Sequence, residues 1–490
     1  MKNSMKKYVI ISLCFWMFFS SCNNWLDVKP QGQTEEEDMY TTYEGFKNAL
    51  IGCYMKLKNR NLYGEKLTMS HVESLAQLWD LSASVRSADV ALSQYDYENT
   101  YAKSAISTIY EKLYNVIVQT NSILKYLDKN GNCIEDSVAY KVIEGEAYAI
   151  RALCHLDILR LFGQMPQNAI KKVKLPYAEV VSIKNLPSYH DYNAFCEKLE
   201  KDLLAAEEAL KNVDPVTWAK MTYSSNEDDF LNYRGLRLNY YAVKALQARF
   251  YLYTSQTTKA YNAAKAVYIA APVSLSTTKD FNLYYHAAPS ECLFALSNHE
   301  LMDYEISVLG TGGTLIQSSN LFISTDMINV LYEGVDIATH IGYGQLWNTS
   351  TMDGSGQYTK ALLTKYYYDT KEEYSATALL TKLQIIPMLR MSEVYLILME
   401  TTTSLEEANV LYIEYMRARS VNVSETFASL DEVRDFILSE IRREFYAEGH
   451  MFYAYKRLGI KQMLWGSKEV GEAEYIWPLP DSEFDPAASK

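Results

Sequence analysis

Apolar positions recur at helical spacing over most of the chain. In "EGEAYAIRALCHLDILRLFG" (144–163), Ala147, Ile150, Cys154, Ile158 and Leu161 follow at steps of 3, 4, 4 and 3. They line one face of a helix, and Gly163 ends it. "YYAVKALQARFYLY" (240–253) repeats the scheme with Ala242, Ala245, Leu246, Phe250 and Tyr253. After a turn, "TTKAYNAAKAVYIAAP" (257–272) supplies Ala260, Ala263, Ala264 and Val267 before Pro272. Small residues on facing helices let two backbones approach closely, so these segments predict a helix hairpin. A second hairpin is predicted from Met388, Met391, Tyr395 and Leu398, followed by Ala408, Leu411, Tyr412 and Tyr415. One more helix runs through Val433, Ile437, Ile441 and Phe445. Upstream, the acidic run Glu35-Glu36-Glu37-Asp38 precedes Tyr40, Phe46 and Leu50 and opens an early helix, because acids favour helix N-termini.

Between these helices the rhythm breaks twice, from about 60 to 100 and from about 275 to 375. Both stretches are rich in Gly, Ser, Thr, Asn and Tyr, and "GTGGTLIQSSN" and "NTSTMDGSGQY" read as loops. The hairpins look like tetratricopeptide units, but their uneven spacing excludes a simple solenoid. The expected fold is mostly α: an α-α superhelix of tetratricopeptide-like helix pairs, with long irregular loops forming the ligand-binding face. Loops on a rigid scaffold are the usual place for function.

Composition narrows the partners. The 490 residues carry a formal net charge of −13 and no basic run. Phosphate neutralisation needs clustered Lys and Arg, so nucleic acid is an unsuitable partner, and so is an electrostatically bound membrane surface. Forty-one tyrosines are many. Tyrosine suits wet surfaces that must grip something, although most will pack helices with their hydroxyls reaching water. The seven cysteines (14, 22, 53, 133, 154, 196 and 292) form no CxxC pair and none stands beside His at metal-ligand spacing. Cys154 falls on a helical core position.

The N-terminus has the form of an address. Lys2, Lys6 and Lys7 precede the apolar stretch Tyr8–Phe19, then Ser20, Ser21 and Cys22. A membrane-spanning helix needs roughly 20 residues, so the stretch is too short to span and fits a secretory h-region. By itself Cys22 has three readings: core residue, half of a disulfide, or attachment point. The arrangement resembles a bacterial lipoprotein signal, in which cleavage just before the cysteine exposes it for acylation; Phe19 stands where Leu is usual. Residues 1–21 are then a signal peptide, and their removal takes three lysines and no acid, leaving −16.

Catalytic motifs are incomplete. "HELMD" (299–303) lacks the second His of a zinc protease, "GTGG" (310–313) lacks the third glycine and strand–helix setting of a dinucleotide site, and "DGSGQ" (353–357) is not a nucleophile elbow. In "RREFYAEGH", Glu444 and Glu448 lie one helical turn apart. Glycoside hydrolysis needs two carboxylates flanking an open cleft, and adjacent turns of one helix do not make one. That motif reads as a salt-bridged helix packed on the scaffold. No metal site and no cofactor are implied.

Five segments in order carry a family resemblance: "CNNWLDVKP" with "EEEDMYTTYEGFKNALIGCYMKL", "EGEAYAIRALCHLDILRLFGQMP", "IPMLRMSEVYLILMET", "RREFYAEGHMFYAYKRLG" and "YIWPLPDSEF". Together they resemble the SusD/RagB family of nutrient-binding outer-membrane lipoproteins. In the second segment Glu146, Arg151, Ala152, Leu161, Phe162 and Gly163 match the family pattern. The resemblance divides the chain into an N-terminal region, 22–230, and a C-terminal region, 231–490, within one compact unit. It implies a lipid anchor on Cys22, an outer-membrane location, a SusC-like TonB-dependent transporter as partner, and a glycan or oligosaccharide cargo. Some relatives take peptides. A lipid-anchored glycan-degrading enzyme and a helical adaptor are the competing readings. Sugars stack their C–H faces on aromatic rings and pair their hydroxyls with polar side chains. Two loop clusters meet that need: Trp79, Asp80, Arg86, Asp89, Tyr95 and Tyr97, and Tyr343, Gln345, Trp347, Asn348 and Asp353. Trp79, Tyr95, Tyr97, Tyr343 and Trp347 are the expected ligand contacts.

Overall fold

A computed structural model describes residues 36–484 apart from 168–169, 182–185, 219–229, 233 and 314. Residues 1–21, expected to be a signal peptide, Cys22 and Glu35 therefore lie outside the described residues. The early helix α1 runs Tyr43–Leu57, with the Thr42 hydroxyl accepting from the Gly45 amide. Two long helices follow, α2 (Thr100–Asn130) and α3 (Ser137–Phe162). Asn99 caps the first; Asp136 caps the second by accepting from the amides of Val138 and Ala139. Such caps contribute about 1 kcal/mol each, because they satisfy amides that have no intrahelical partner.

Helix α3 is more deeply buried than its one-face pattern predicts. From Gly145 to Phe162 every residue except Tyr148 is buried. Neighbours on several sides explain this: α1, α2 and α4 (Tyr192–Leu210) all pack on it. A methyl group on Gly145 would stand 2.5 Å from the Leu210 side chain, so glycine sets the α3–α4 approach. The charges on α3 are paired inside the protein. Arg151 holds Asp202 with two contacts, at 2.5 and 2.7 Å, and Asn121 at 2.7 Å. Glu146 meets Arg234, Arg237 and the Tyr54 hydroxyl.

Both hairpins form. Helices α5 (Tyr240–Tyr253) and α6 (Thr257–Ala270) bury the predicted Ala242, Ala245, Leu246, Phe250, Ala260, Ala263, Ala264 and Val267. Helices α7 (Met391–Thr401) and α8 (Leu405–Ala418) make the second pair, and α6 packs against α7. Met388 departs from expectation. It belongs to strand β2 (Ile385–Arg390), which pairs antiparallel with β1 (Cys292–Ser297) and is buried throughout. Two isoleucines and Pro387 favour strand over helix here, and burial on both faces removes the alternation that would reveal it. Helix α9 (Leu430–Glu444) is capped by Ser429 and stops one residue before Phe445. One hydrophobic cluster extends from Tyr40 to Trp477. The stretch between β1 and β2 carries short helices and a small antiparallel sheet of Ile323–Ser324, Lys360–Leu363 and Trp347–Asn348. A small satellite cluster of Met302, Tyr368 and Leu383 packs there apart from the main core.

Candidate functional site

The "RREFYAEGH" segment lies at the centre of a buried ion network. Arg390, 3% exposed, meets Glu444 at 2.7 Å, Glu448 at 2.8 and 2.9 Å, and Glu291 at 3.1 Å. Arg419 binds Glu444 and Glu291, and the Lys365 ammonium donates to Glu448 at 2.6 Å. Burial alone would raise the Glu444 carboxyl, but Arg419 and Arg390 beside it hold it well below the usual carboxylate range. Glu444 and Glu448 are thus both ligated by one guanidinium inside the protein, so their side chains serve the scaffold. Among the described residues no group of three His, Cys, Asp or Glu is arranged to hold a metal ion.

The two predicted aromatic clusters do come together, but as core. Tyr446 stands between Trp79 and Trp347, with ring centroids 5.0 Å away on each side and both contacts edge-on. Both indoles are buried, at 5% and 8% exposure. Trp79 Nε1 donates to the Met69 carbonyl at 2.9 Å, and Trp347 Nε1 to the Tyr332 hydroxyl at 3.3 Å. The expectation of exposed rings at these two positions is corrected on that ground. An indole whose N–H is satisfied inside the protein packs as any large hydrophobe does. Tyr95 and Tyr97 are half-buried, and their hydroxyls donate to the carbonyls of Leu75 and Glu474. Their rings pin the N-terminal loop, Tyr97 reaching the C-terminal segment. Asp89 serves structure as well: His71 and Arg86 bind it. Tyr343 is half-buried against Tyr332, 5.3 Å between centroids, and Gln345 beside it is exposed.

Aromatic surface appears instead in the irregular region beside Gln345. Thr364 ties the pieces together. Its amide donates to the Leu346 carbonyl at 2.8 Å, its hydroxyl to the Gln345 carbonyl at 2.9 Å, and its own carbonyl accepts from His286 Nδ1 at 3.0 Å. Around this knot stand Tyr284, Tyr285, Tyr367 and Tyr374. Tyr284 is 37% exposed and sits at φ +60°. The Lys382 ammonium lies 5.1 Å over the Tyr285 ring. Tyr368 faces Tyr374 edge-on at 5.7 Å and accepts from Gln384 at 3.0 Å. Burial first, then the Asp369 carboxylate and Tyr284, pushes the Tyr367 hydroxyl up. The Tyr374 hydroxyl is buried and has no partner among the described residues. Leu283 and Leu380 continue the apolar surface, each about half exposed. Flat rings, an ammonium, a carboxylate and an amide side by side can grip a ring-shaped, hydroxyl-rich ligand.

This site was missed because no single tyrosine stands out among so many. The signal was local: "YYH" at 284–286 and "YYYD" at 366–369. Tyr366 and Tyr368 are buried, whereas Tyr367 between them is only partly buried.

Known proteins resemble the chain along most of its length. A family model described as "SusD family" matches residues 312–487, and one described as "Starch-binding associating with outer membrane" matches residues 24–225. SusD-like protein P2 of Formosa agariphila is 24% identical across 98% of this chain and 97% of its own. SusD-like protein P25 of the same organism is 30% identical over 174 residues, 33% of this chain and 31% of that protein. Among solved structures, a SusD superfamily protein from Bacteroides thetaiotaomicron is 22% identical with a TM-score of 0.69, covering 91% of this chain and 98% of its own. A protein described as a putative sugar binding protein from Bacteroides vulgatus is 18% identical with a TM-score of 0.64, covering 91% and 96%.

Proposed function

The chain belongs to the SusD family, and on that premise we propose that it is a non-catalytic outer-membrane lipoprotein that binds a glycan or oligosaccharide at the cell surface and delivers it to a SusC-like TonB-dependent transporter. The observation that carries the binding role is the tyrosine surface at Tyr284, Tyr285, Tyr367 and Tyr374. Half-exposed rings beside Lys382 and Asp369 offer stacking and hydrogen bonding at once, and they sit on the irregular segment rather than on the helix pairs. Tyr343 and Gln345 extend it along the same edge. The acids most suggestive of hydrolysis, Glu444 and Glu448, are engaged by Arg390, which favours binding over chemistry. We read 22–230 and 231–490 as two regions of one folding unit, preceded by a signal peptide at 1–21.

Isothermal titration against a panel of plant and host polysaccharides tests the site. The double variant Tyr284→Ala, Tyr367→Ala is expected to weaken binding at least ~10-fold, about 1.4 kcal/mol, with unfolding behaviour retained because both rings are partly in water. Unchanged affinity would remove the tyrosine surface from the reading. The anchor is tested separately. Lipid burial contributes roughly 0.8 kcal/mol per methylene, so several acyl chains hold a protein durably. Cys22→Ala is expected to leave the protein unlabelled by radioactive palmitate and free of the membrane fraction; continued labelling would place the lipid elsewhere.

A further inference from the structure

A cleft of about 470 Å³ opens on the helical scaffold. Tyr268 at the end of α6, Leu275 in the segment that follows, Met391 and Tyr395 of α7, and Glu414 and Arg417 of α8 line it. The rings of Tyr268 and Tyr395 lie 5.3 Å apart at 79°, forming a corner. Both hydroxyls donate to Oε2 of Glu414, at 3.0 and 3.2 Å, and Oε1 has no hydrogen-bond partner among the described residues. Arg417 is exposed and takes part in no ion pair among the described residues, although Glu414 stands one turn away. The walls are fixed: the Thr278 and Ser420 hydroxyls meet at 2.6 Å, and the Ser274 amide donates to the Ser290 carbonyl at 3.2 Å.

These groups select a chemistry. A carboxylate oxygen accepts from hydroxyls, a guanidinium donates to them, and the tyrosine corner offers one ring face and one ring edge over an apolar floor. A ligand of single negative charge meets Glu414, and one of single positive charge meets Arg417, so a neutral polyhydroxylated ring suits both. The volume falls in the range of small-molecule sites and exceeds one sugar ring. The tyrosine surface begins close by, since Thr277 borders the cleft and Tyr284 follows the single helical turn Thr278–Phe281. We propose that the cleft is a second saccharide subsite, which takes one or two neutral hexose units of a chain that also crosses the tyrosine surface. This inference rests on the saccharide reading above.

Saturation-transfer NMR on the full chain tests it with gluco-, galacto-, manno- and xylo-disaccharides as probes, and with the dipeptide Phe-Gly as a zwitterionic control. Wild type and Tyr284→Ala are expected to give transfer to at least one disaccharide, and adding Glu414→Gln or Arg417→Ala to Tyr284→Ala is expected to reduce it fivefold or more. Arg417 is exposed, so its variant keeps the fold. Equal transfer in Tyr284→Ala with and without either cleft substitution overturns the proposal and leaves the tyrosine site standing. So does loss of transfer in Tyr284→Ala alone. Displacement of the disaccharide by Phe-Gly in wild type but not in Arg417→Ala overturns it in favour of a peptide end. Absence of transfer from wild type to any disaccharide removes the subsite and the saccharide reading together.

Discussion

Arg390→Ala is expected to lower stability by about 3–5 kcal/mol, the usual cost of removing one partner from a buried ion pair. The guanidinium is the shared cation of Glu291, Glu444 and Glu448, and it lies 4.7 Å over the Phe445 ring. Without it, three carboxylates remain inside the protein with Arg419 and Lys365 as their main counter-charges. The Lys365 ammonium is itself disfavoured by burial, which lowers its pKa, and Glu448 is what opposes that. Urea unfolding provides the check. Arg390→Lys keeps the charge but loses the fork that reaches two carboxylates at once, so an intermediate loss is expected. A loss under about 1 kcal/mol for Arg390→Ala would place the network with dispensable surface pairs.

Tyr446→Ala is expected to cost a similar ~3–5 kcal/mol for a different reason, the cavity left between two indoles. The ring separates Trp79 from Trp347, and its hydroxyl donates to the Leu78 carbonyl. Tyr446→Phe keeps the ring and loses only the hydrogen bond, about 1 kcal/mol. Comparing the two variants by chemical denaturation isolates the packing. Equal losses would mean that the indoles close over the gap and that the aromatic sandwich contributes little.

The helix pairs were legible because each buries one stripe of small and apolar residues at 3.6-residue spacing, as Ala260, Ala263, Ala264 and Val267 illustrate. Met388 was misread because a strand buried on both faces leaves no alternation to detect, only an apolar run. The ion network was half visible. "RREFYAEGH" announced the acids and arginines, but Arg390, Arg419 and Glu291, which complete it, come from distant segments and carry no local mark. Trp79 and Trp347 were placed in loops, and loops usually mean surface; here the loops fold back over a tyrosine contributed by the far end of the chain. The tyrosine surface escaped for the opposite reason, since its residues look individually ordinary and become a site only when the knot at Thr364 gathers them.

The end of α3 has a consequence for the order of folding. The Gly163 amide takes up the Leu159 carbonyl at 3.0 Å, but other carbonyls of the last turn find partners far along the chain. The Lys456 ammonium donates to the carbonyls of Arg160 and Gly163 at 2.7 and 2.8 Å, and the Trp477 amide donates to the Leu161 carbonyl at 3.0 Å. A helix in the first third of the polypeptide is thus finished by residues close to its last. Closing so long a loop costs entropy before any contact returns it, and folds dominated by such contacts form slowly. The last turn of α3 therefore gains these partners only once Lys456 and Trp477 have joined the fold.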